Sequence, residues 1–367
     1  MDWSFTPQEE QFRAELRAFL ASSLPADWDQ LSCSLPADSE QRLTLAREIT
    51  ARLAERHWLA PAWPQRFGGL DATHMQQLIY NEETAYHAMP GGGMGVSWVG
   101  PAIMHYGSEQ QQQRYLPRIT NGEDEWCVLQ SEPGAGSDLA SLQTRAVRDG
   151  DFYVVNGQKT WIAGGHNASM GWLAARTDPD LPRHRGISTF IVPMDTPGIT
   201  VHPLLDLAGE HNLNEVHFAD VRVPAENLVG AENRGWYQLA ATLNFERSGV
   251  QTYAHGKRNV ERLVALAKEE RPLVNVSEQV RYELADRWLE LEVGFNIAYR
   301  IPWMQSQQLV PNAESAVSRL YGAELTQRIA GTGIKLLGLA GQLAPGSANA
   351  PLSGALAQTM MQAQPVL

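Results

Sequence analysis

With 367 residues, 43% of them hydrophobic and 19% charged, the chain has the composition of a globular protein of about two or three packed units. Its 41 acidic residues against 29 basic ones give a formal net charge of −12, which disfavours nucleic acid or an anionic membrane surface as the main partner while leaving room for a local basic pocket. Cys33 and Cys127 stand far apart without CxxC spacing, which points to a reduced, cytoplasmic setting and two inert thiols.

The N-terminus, MDWSFTPQEEQFRAEL, is charged from its start, and no uninterrupted apolar run approaches about 20 residues, so neither a signal peptide nor a membrane span is expected. Over 5–24, Thr6-Pro7 followed by Phe12, Leu16, Phe19 and Leu20 at helical spacing predicts an amphipathic helix with proline at its first position. A second helix is expected over 39–58, ended by the prolines and glycines of WLAPAWPQRFGG. Helices resume over 72–88 and 108–120, separated by the loose stretch MPGGGMGVSWVGP, whose glycines read as structural turns rather than a ligand site.

From 126 to about 229 the pattern becomes period-two with turn punctuation, and Asp149-Gly150 between two alternating runs marks a hairpin. The short connections predict a β domain of antiparallel type. Beyond Gly235 long apolar stripes predict helices over 235–266, 277–303 and 312–337 and a short one over 352–364, together a helical bundle. The fold class is therefore α+β: an N-terminal helical domain over 1–125, a middle β domain over 126–232 and a C-terminal helical bundle over 233–367. The ten histidines show no HxxxH or HExxH spacing, so no metal site is expected.

The stretch with the most chemistry is QSEPGAGSDLAS, residues 130–141, a polar loop placed between strands. Gly134 and Gly136 let backbone N–H groups approach a ligand closely, and Ser131 and Ser137 add hydroxyl donors; together these suit a phosphate or an electron-rich ring edge. The plain alternative is a Gly/Pro/Ser turn.

SEPGAGSD after a short strand, then NGQKTWIAGG, GISTFIVPMDTPGITV, NEVHFADVRVPAENLVG, NRGW and a helix containing NFERSG, in that order, resemble the acyl-CoA dehydrogenase family from about Phe5 onward. The resemblance implies a flavoenzyme that desaturates an acyl-CoA thioester to the trans-2-enoyl form and passes electrons to an electron-transfer flavoprotein. FAD would lie at the junction of the β domain and the bundle. Val128, Leu129, Gln130, Ser131, Gly134, Gly136 and Ser137 would line its ring and pyrophosphate, with Ser131 near the pyrimidine edge and Ser137 near phosphates and substrate. Trp161 would pack on the isoalloxazine, the alternative being a core tryptophan of a strand. Ile162 and Ala163 follow; relatives usually carry Thr or Ser at the second of these, bonding flavin N5, whereas Ala163 offers only its backbone N–H. Gly338, within LLGLAGQ, matches a turn that meets a neighbouring subunit's FAD.

The same resemblance assigns Glu246 as the base that removes the α-proton, with Arg247 binding coenzyme A and Asn244 near the substrate; the alternative for Glu246-Arg247 is a plain ion pair. Relatives continue past the position of Leu367 into a Tyr-x-Gly-Thr segment, so a truncated copy, or one managing with fewer oxyanion donors, is expected. The segment between Leu266 and Ala285 lacks the Arg-x-x-Phe-Gly of many homotetrameric relatives and looks more like the branch acting on bulky or cyclic acyl-CoAs, so a homotetramer or an α2β2 heterotetramer is implied. The runner-up is a non-catalytic partner subunit of such a heteromer.

Overall fold

The computed structural model describes residues 4–36, 38–242, 248–269, 274–345, 347 and 349–363. Its helices are α1 (Pro7–Ser23), α2 (Trp28–Ser34), α3 (Glu40–Ala54), α4 (His74–Tyr86), α5 (Gly100–Tyr106), α6 (Glu109–Thr120), α7 (Gly235–Thr242), α8 (Val250–Lys268), α9 (Glu278–Ser306), α10 (Asn312–Leu337) and α11 (Ala355–Gln362). The strands are β1 (Trp126–Leu129), β2 (Arg145–Asp149), β3 (Phe152–Ala163), β4 (Met170–Arg176), β5 (Ile187–Pro193), β6 (Ile199–Leu204) and β7 (Leu213–Pro224). They fall into two compact units, one of Met1–Arg42, Ala72–Pro90 and Arg247–Leu367, the other of Leu43–Asp71 and Gly91–Glu246. Among the described residues no helix is long and apolar enough to cross a membrane.

In the first unit, α1 starts at a capping box: the Thr6 hydroxyl accepts from the Glu9 N–H and the Glu9 carboxylate accepts from the Thr6 N–H at 2.7 Å. Its apolar stripe buries Phe12, Leu16, Phe19 and Leu20. Arg13 and Arg17 pin it to α4, reaching the two oxygens of Glu83 at 2.6 and 2.8 Å. Burial alone would push the Glu83 carboxyl up, but the two guanidinium groups outweigh it and hold it below the usual carboxylate range. Glu83→Gln leaves buried Arg13 with only Glu82, 3.3 Å away, as its near carboxylate and is expected to cost about 1–3 kcal/mol, read as a lower urea midpoint. An unchanged midpoint would show that the triad carries no stability.

In the bundle, Gly294 on α9 is required by close packing, since a Cβ there would lie 2.3 Å from the Tyr253 ring of α8. The Tyr253 hydroxyl donates to the Ser318 carbonyl of α10 at 2.7 Å. The helix expected over 235–266 is interrupted at Ser248 and Gly249, where Gly249 takes φ 70° as the N-cap of α8. Cys33 on α2, a short helix that the sequence pattern did not predict, is half-buried.

In the second unit the stretch expected to be loose is helical from Met94, with a five-residue π turn over Gly95–Val99 leading into α5. Gly95 and Gly100 are packing glycines: a Cβ would lie 2.9 Å from the Trp126 ring at the first and 1.9 Å from the Trp63 ring at the second. Their clustering with Gly91 to Gly93 made a helical segment look like a turn.

The sheet runs β1-β4-β2-β3-β7-β6, with β5 also paired to β4. The hairpin at Asp149-Gly150 is present, with Gly150 at φ 60°. The β2–β3, β3–β7, β4–β5 and β6–β7 pairings are antiparallel as expected, whereas β1 and β2 lie parallel to β4. The parallel β1–β4 pair is possible because the chain between them contains the whole β2–β3 hairpin, so a long connection exists after all. Cys127 of β1 is fully buried, and burial pushes its thiol up to about 12, which makes it inert. Iodoacetamide is therefore expected to modify Cys33 long before Cys127 in the native chain; equal labelling by mass spectrometry would contradict this burial.

Candidate active site

The loop 130–141 leaves the sheet at the end of β1 and is shaped by its own backbone. Glu132 and Ala135 exchange N–H···O bonds of 3.0 Å, which makes Pro133-Gly134 the tip of a tight turn. Farther along, Arg176 of β4 donates to the carbonyls of Ala140 and Leu142 at 2.7 and 3.0 Å. Beneath the turn, Lys159 of β3 is fully buried and donates to Glu132 at 2.8 Å and to the Gln130 carbonyl at 2.9 Å. The same Glu132 carboxylate accepts from the N–H groups of Gln143 and Thr144 at 2.6 and 2.9 Å. Burial pushes the Lys159 ammonium down to about 8, against the pull of Glu132. Burial pushes the Glu132 carboxyl up, but the Lys159 charge and the N–H donors hold it below the usual range.

The outer face of this loop presents donors. Neither Gly134 nor Gly136 has a positive φ, and a Cβ on either would meet nothing within 4 Å. The chain's own packing therefore does not call for glycine at these positions, and their bare backbone is open to a ligand. Among the described residues, the hydroxyls of Ser131 and Ser137 make no hydrogen bond to the chain, and the Gln130 side-chain amide nitrogen is buried without an acceptor.

Beside the loop stands Trp161. Although it lies within β3 it is 61% exposed, so it is not a core residue, and it adopts φ 61°, a left-handed conformation that costs a bulky side chain about 1–3 kcal/mol. Strain of this size persists only where neighbours over-determine the backbone. The Thr160 N–H donates to the Ser131 carbonyl at 2.9 Å, which joins this bulge to the loop. Val128 to Ser137 and Trp161 to Ala163 thus come together in one unit. Ile162 points into the core at 2% exposure, and Ala163 pairs with Leu213.

Gly338 lies in the other unit, at the end of α10, with φ 53° and ψ −130°, a region open to glycine alone, followed by Leu339 at 85% exposure. Asn244, Glu246 and Arg247 lie outside the described residues. Glu132 and Lys159 escaped the sequence reading, although a lysine between two apolar runs of a strand was a usable signal.

Residues 6–123, 127–221 and 233–364 match the family models for the N-terminal, middle and C-terminal domains of acyl-CoA dehydrogenase. The chain belongs to the acyl-CoA dehydrogenase family. It is 35% identical over 362 residues to acyl-CoA dehydrogenase FadE26 of Mycobacterium tuberculosis, covering 96% of this chain and 90% of that one. The solved structure of a steroid ACAD matches with a TM-score of 0.89 at 34% identity, covering 100% of this chain and 94% of the other. The ChsE4-ChsE5 complex from Mycobacterium tuberculosis matches with a TM-score of 0.88, also at 34% identity and with the same coverage. The expected family, its α+β fold class and its dehydrogenase activity therefore hold.

Proposed function

We propose that this acyl-CoA dehydrogenase binds FAD along 128–137 and 161–163, acts on a bulky, ring-bearing acyl-CoA and passes the electrons to an electron-transfer flavoprotein in a reduced, cytoplasmic setting. The observation that carries the flavin reading is Trp161, an exposed and strained indole held next to a loop of open donors. The chemistry that FAD supplies when bound is acceptance of a hydride from the acyl β-carbon. The indole face offers a flat apolar surface for a planar ring. The Ser131 hydroxyl and the Gln130 amide supply hydrogen-bond donors for a ring edge that gathers negative charge, and the bare backbone at Gly134 and Gly136 with the Ser137 hydroxyl suits a pyrophosphate.

By the family resemblance, Glu246 takes the α-proton, Arg247 binds coenzyme A, Asn244 lies near the substrate, and the Gly338 turn meets the FAD of a second subunit. The steroid ACAD supports a bulky substrate, and the ChsE4-ChsE5 complex supports a heteromeric assembly, for which the resemblance implies α2β2, over a homotetramer. The three segments 1–125, 126–232 and 233–367 serve as the functional domains.

At Ala163 the ring is offered one donor fewer than in relatives with Thr or Ser. Ala163→Thr is expected to speed flavin reduction by about tenfold, the value of one added hydrogen bond in a water-poor site, as read by stopped-flow loss of flavin absorbance. An unchanged rate would remove Ala163 as a tuning position. The test of the whole reading is purification followed by anaerobic titration with a steroid side-chain CoA thioester: a yellow protein bleached by that substrate supports it. A chain that never takes up FAD, alone or with a second subunit, overturns it. Ala163 also favours a second reading, a non-catalytic subunit. That reading predicts a colourless chain required by a separate catalytic one.

A further inference from the structure

Trp161 sits on a β-bulge. Lys159 pairs with Val216 and Ile162 with Asn214, so three steps along β3 are matched by two along β7. At the bulge the Thr160 N–H donates to the Ser131 carbonyl at 2.9 Å, and the Ile162 carbonyl accepts from the Asn214 side-chain amide at 3.0 Å, so both flanks of Trp161 are tied down. Asn214 is fully buried. Its Oδ1 faces two imidazoles, His211 Nε2 at 2.9 Å and His166 Nδ1 at 3.2 Å, and these rings stack with centroids 4.1 Å apart and 28° between planes. His166 Nδ1 also lies 3.0 Å from the Asn214 amide nitrogen. The Asn167 amide stands 3.0 Å from His166 Nε2. Both rings thus lie within hydrogen-bond distance of the buried Asn214 amide, whose N–H bonds the Ile162 carbonyl. They line an open cavity of about 670 Å³ with Met170, Met194 and Asp195, a surface apart from the proposed flavin contacts.

We infer that Asn214, oriented by the His166–His211 stack, is a positioning residue that fixes the Trp161–Ala163 backbone for cofactor binding. The inference rests on the flavin reading above. It assigns to Asn214 the work of holding Trp161 in its left-handed conformation and of aiming the Ala163 N–H, the one donor that residue can offer.

Asn214→Asp keeps an acceptor for the imidazoles but loses the donor to Ile162; Asn214→Leu loses both; His211→Leu removes one orienting ring without touching β3. Hydrogen exchange of the FAD-free chain is the first readout, because it needs no cofactor. Amides 160–164 are expected to exchange at least tenfold faster in both Asn214 variants and about threefold faster in His211→Leu, with the rest of the sheet unchanged. FAD dissociation constants, from flavin fluorescence, are expected to rise at least tenfold in the Asn214 variants, with a shifted flavin absorption maximum. Exchange and affinity within twofold of wild type would overturn the inference, and so would faster exchange spread evenly over the unit or faster local exchange with unaltered FAD affinity. If wild type itself takes up no FAD, the flavin reading fails on its own, and the local exchange arm still decides whether Asn214 holds the bulge.

Discussion

Lys159→Met should lower the unfolding free energy by about 3–5 kcal/mol and strip the 130–141 loop of its shape. The magnitude follows from what remains: Glu132, 8% exposed, would keep its charge with two backbone N–H donors and no directly paired cation, Arg176 acting on it only from beyond contact, and removing one partner of a buried pair costs about that much. Glu132→Gln attacks the same pair from the other side and should cost a similar amount, because it leaves a fully buried ammonium. The double variant should recover part of the loss, since an apolar and a neutral side chain impose no unpaired charge.

Two pH signatures distinguish this pair from a general packing defect. Lys159 titrates near 8 in the folded chain against 10.5 unfolded, so between those values the unfolded chain holds the extra proton and this group makes stability rise with pH; Lys159→Met removes that slope. Glu132 lies below the usual carboxylate range when folded, so its contribution is complete above the unfolded value and is lost as pH falls through the folded one; Glu132→Gln flattens the acid limb. Urea melts across pH, with circular dichroism as the probe, measure both. A loss under 1 kcal/mol in each single variant, or pH slopes identical to wild type, would show that the pair does not hold the loop.

The helical units were legible because their signals are local. The bounds of α10, Asn312–Leu337, agree with the periodic pattern, and the starts of α1, α4 and α6 carry capping boxes readable from four consecutive residues. The β hairpin was legible for the same reason. What escaped depends on distant partners. No sequence window shows that Gly95 and Gly100 are small to admit Trp126 and Trp63, or that β1 finds β4 across the whole hairpin. For the site, QSEPGAGSD and Trp161 stood out by composition and motif, but their support did not. The buried ammonium of Lys159, the carboxylate of Glu132 and the amide of Asn214 sit on separate strands and turns, and only folding reveals that each bonds a backbone group of the loop, its flank or the bulge.

Glu246→Gln should abolish substrate-dependent flavin bleaching, with a fall of roughly 10³-fold or more in the reduction rate, while FAD stays bound. A thioester α-proton is weakly acidic, so hydride loss from the β-carbon must be accompanied by a positioned base, and general-base catalysis contributes about 10²–10⁴-fold. A glutamate does this best when partly desolvated, which raises its pKa toward the operating pH. The isosteric amide keeps the shape and removes the proton acceptor. Retention of FAD is expected because the proposed ring and pyrophosphate contacts, 128–137 and 161–163, are remote in sequence from 246 and held by their own network of Lys159, Glu132 and Asn214. Arg247→Leu supplies the contrast: loss of the proposed coenzyme A contact should raise KM with little change in the limiting rate of bleaching, since binding that is equal in ground and transition states leaves that rate untouched. Stopped-flow absorbance of the anaerobic protein measures all of this. Undiminished bleaching in Glu246→Gln would place the base elsewhere in the chain. A colourless Glu246→Gln protein beside a yellow Arg247→Leu one would instead make Glu246 a part of the cofactor's support rather than the acceptor of the proton.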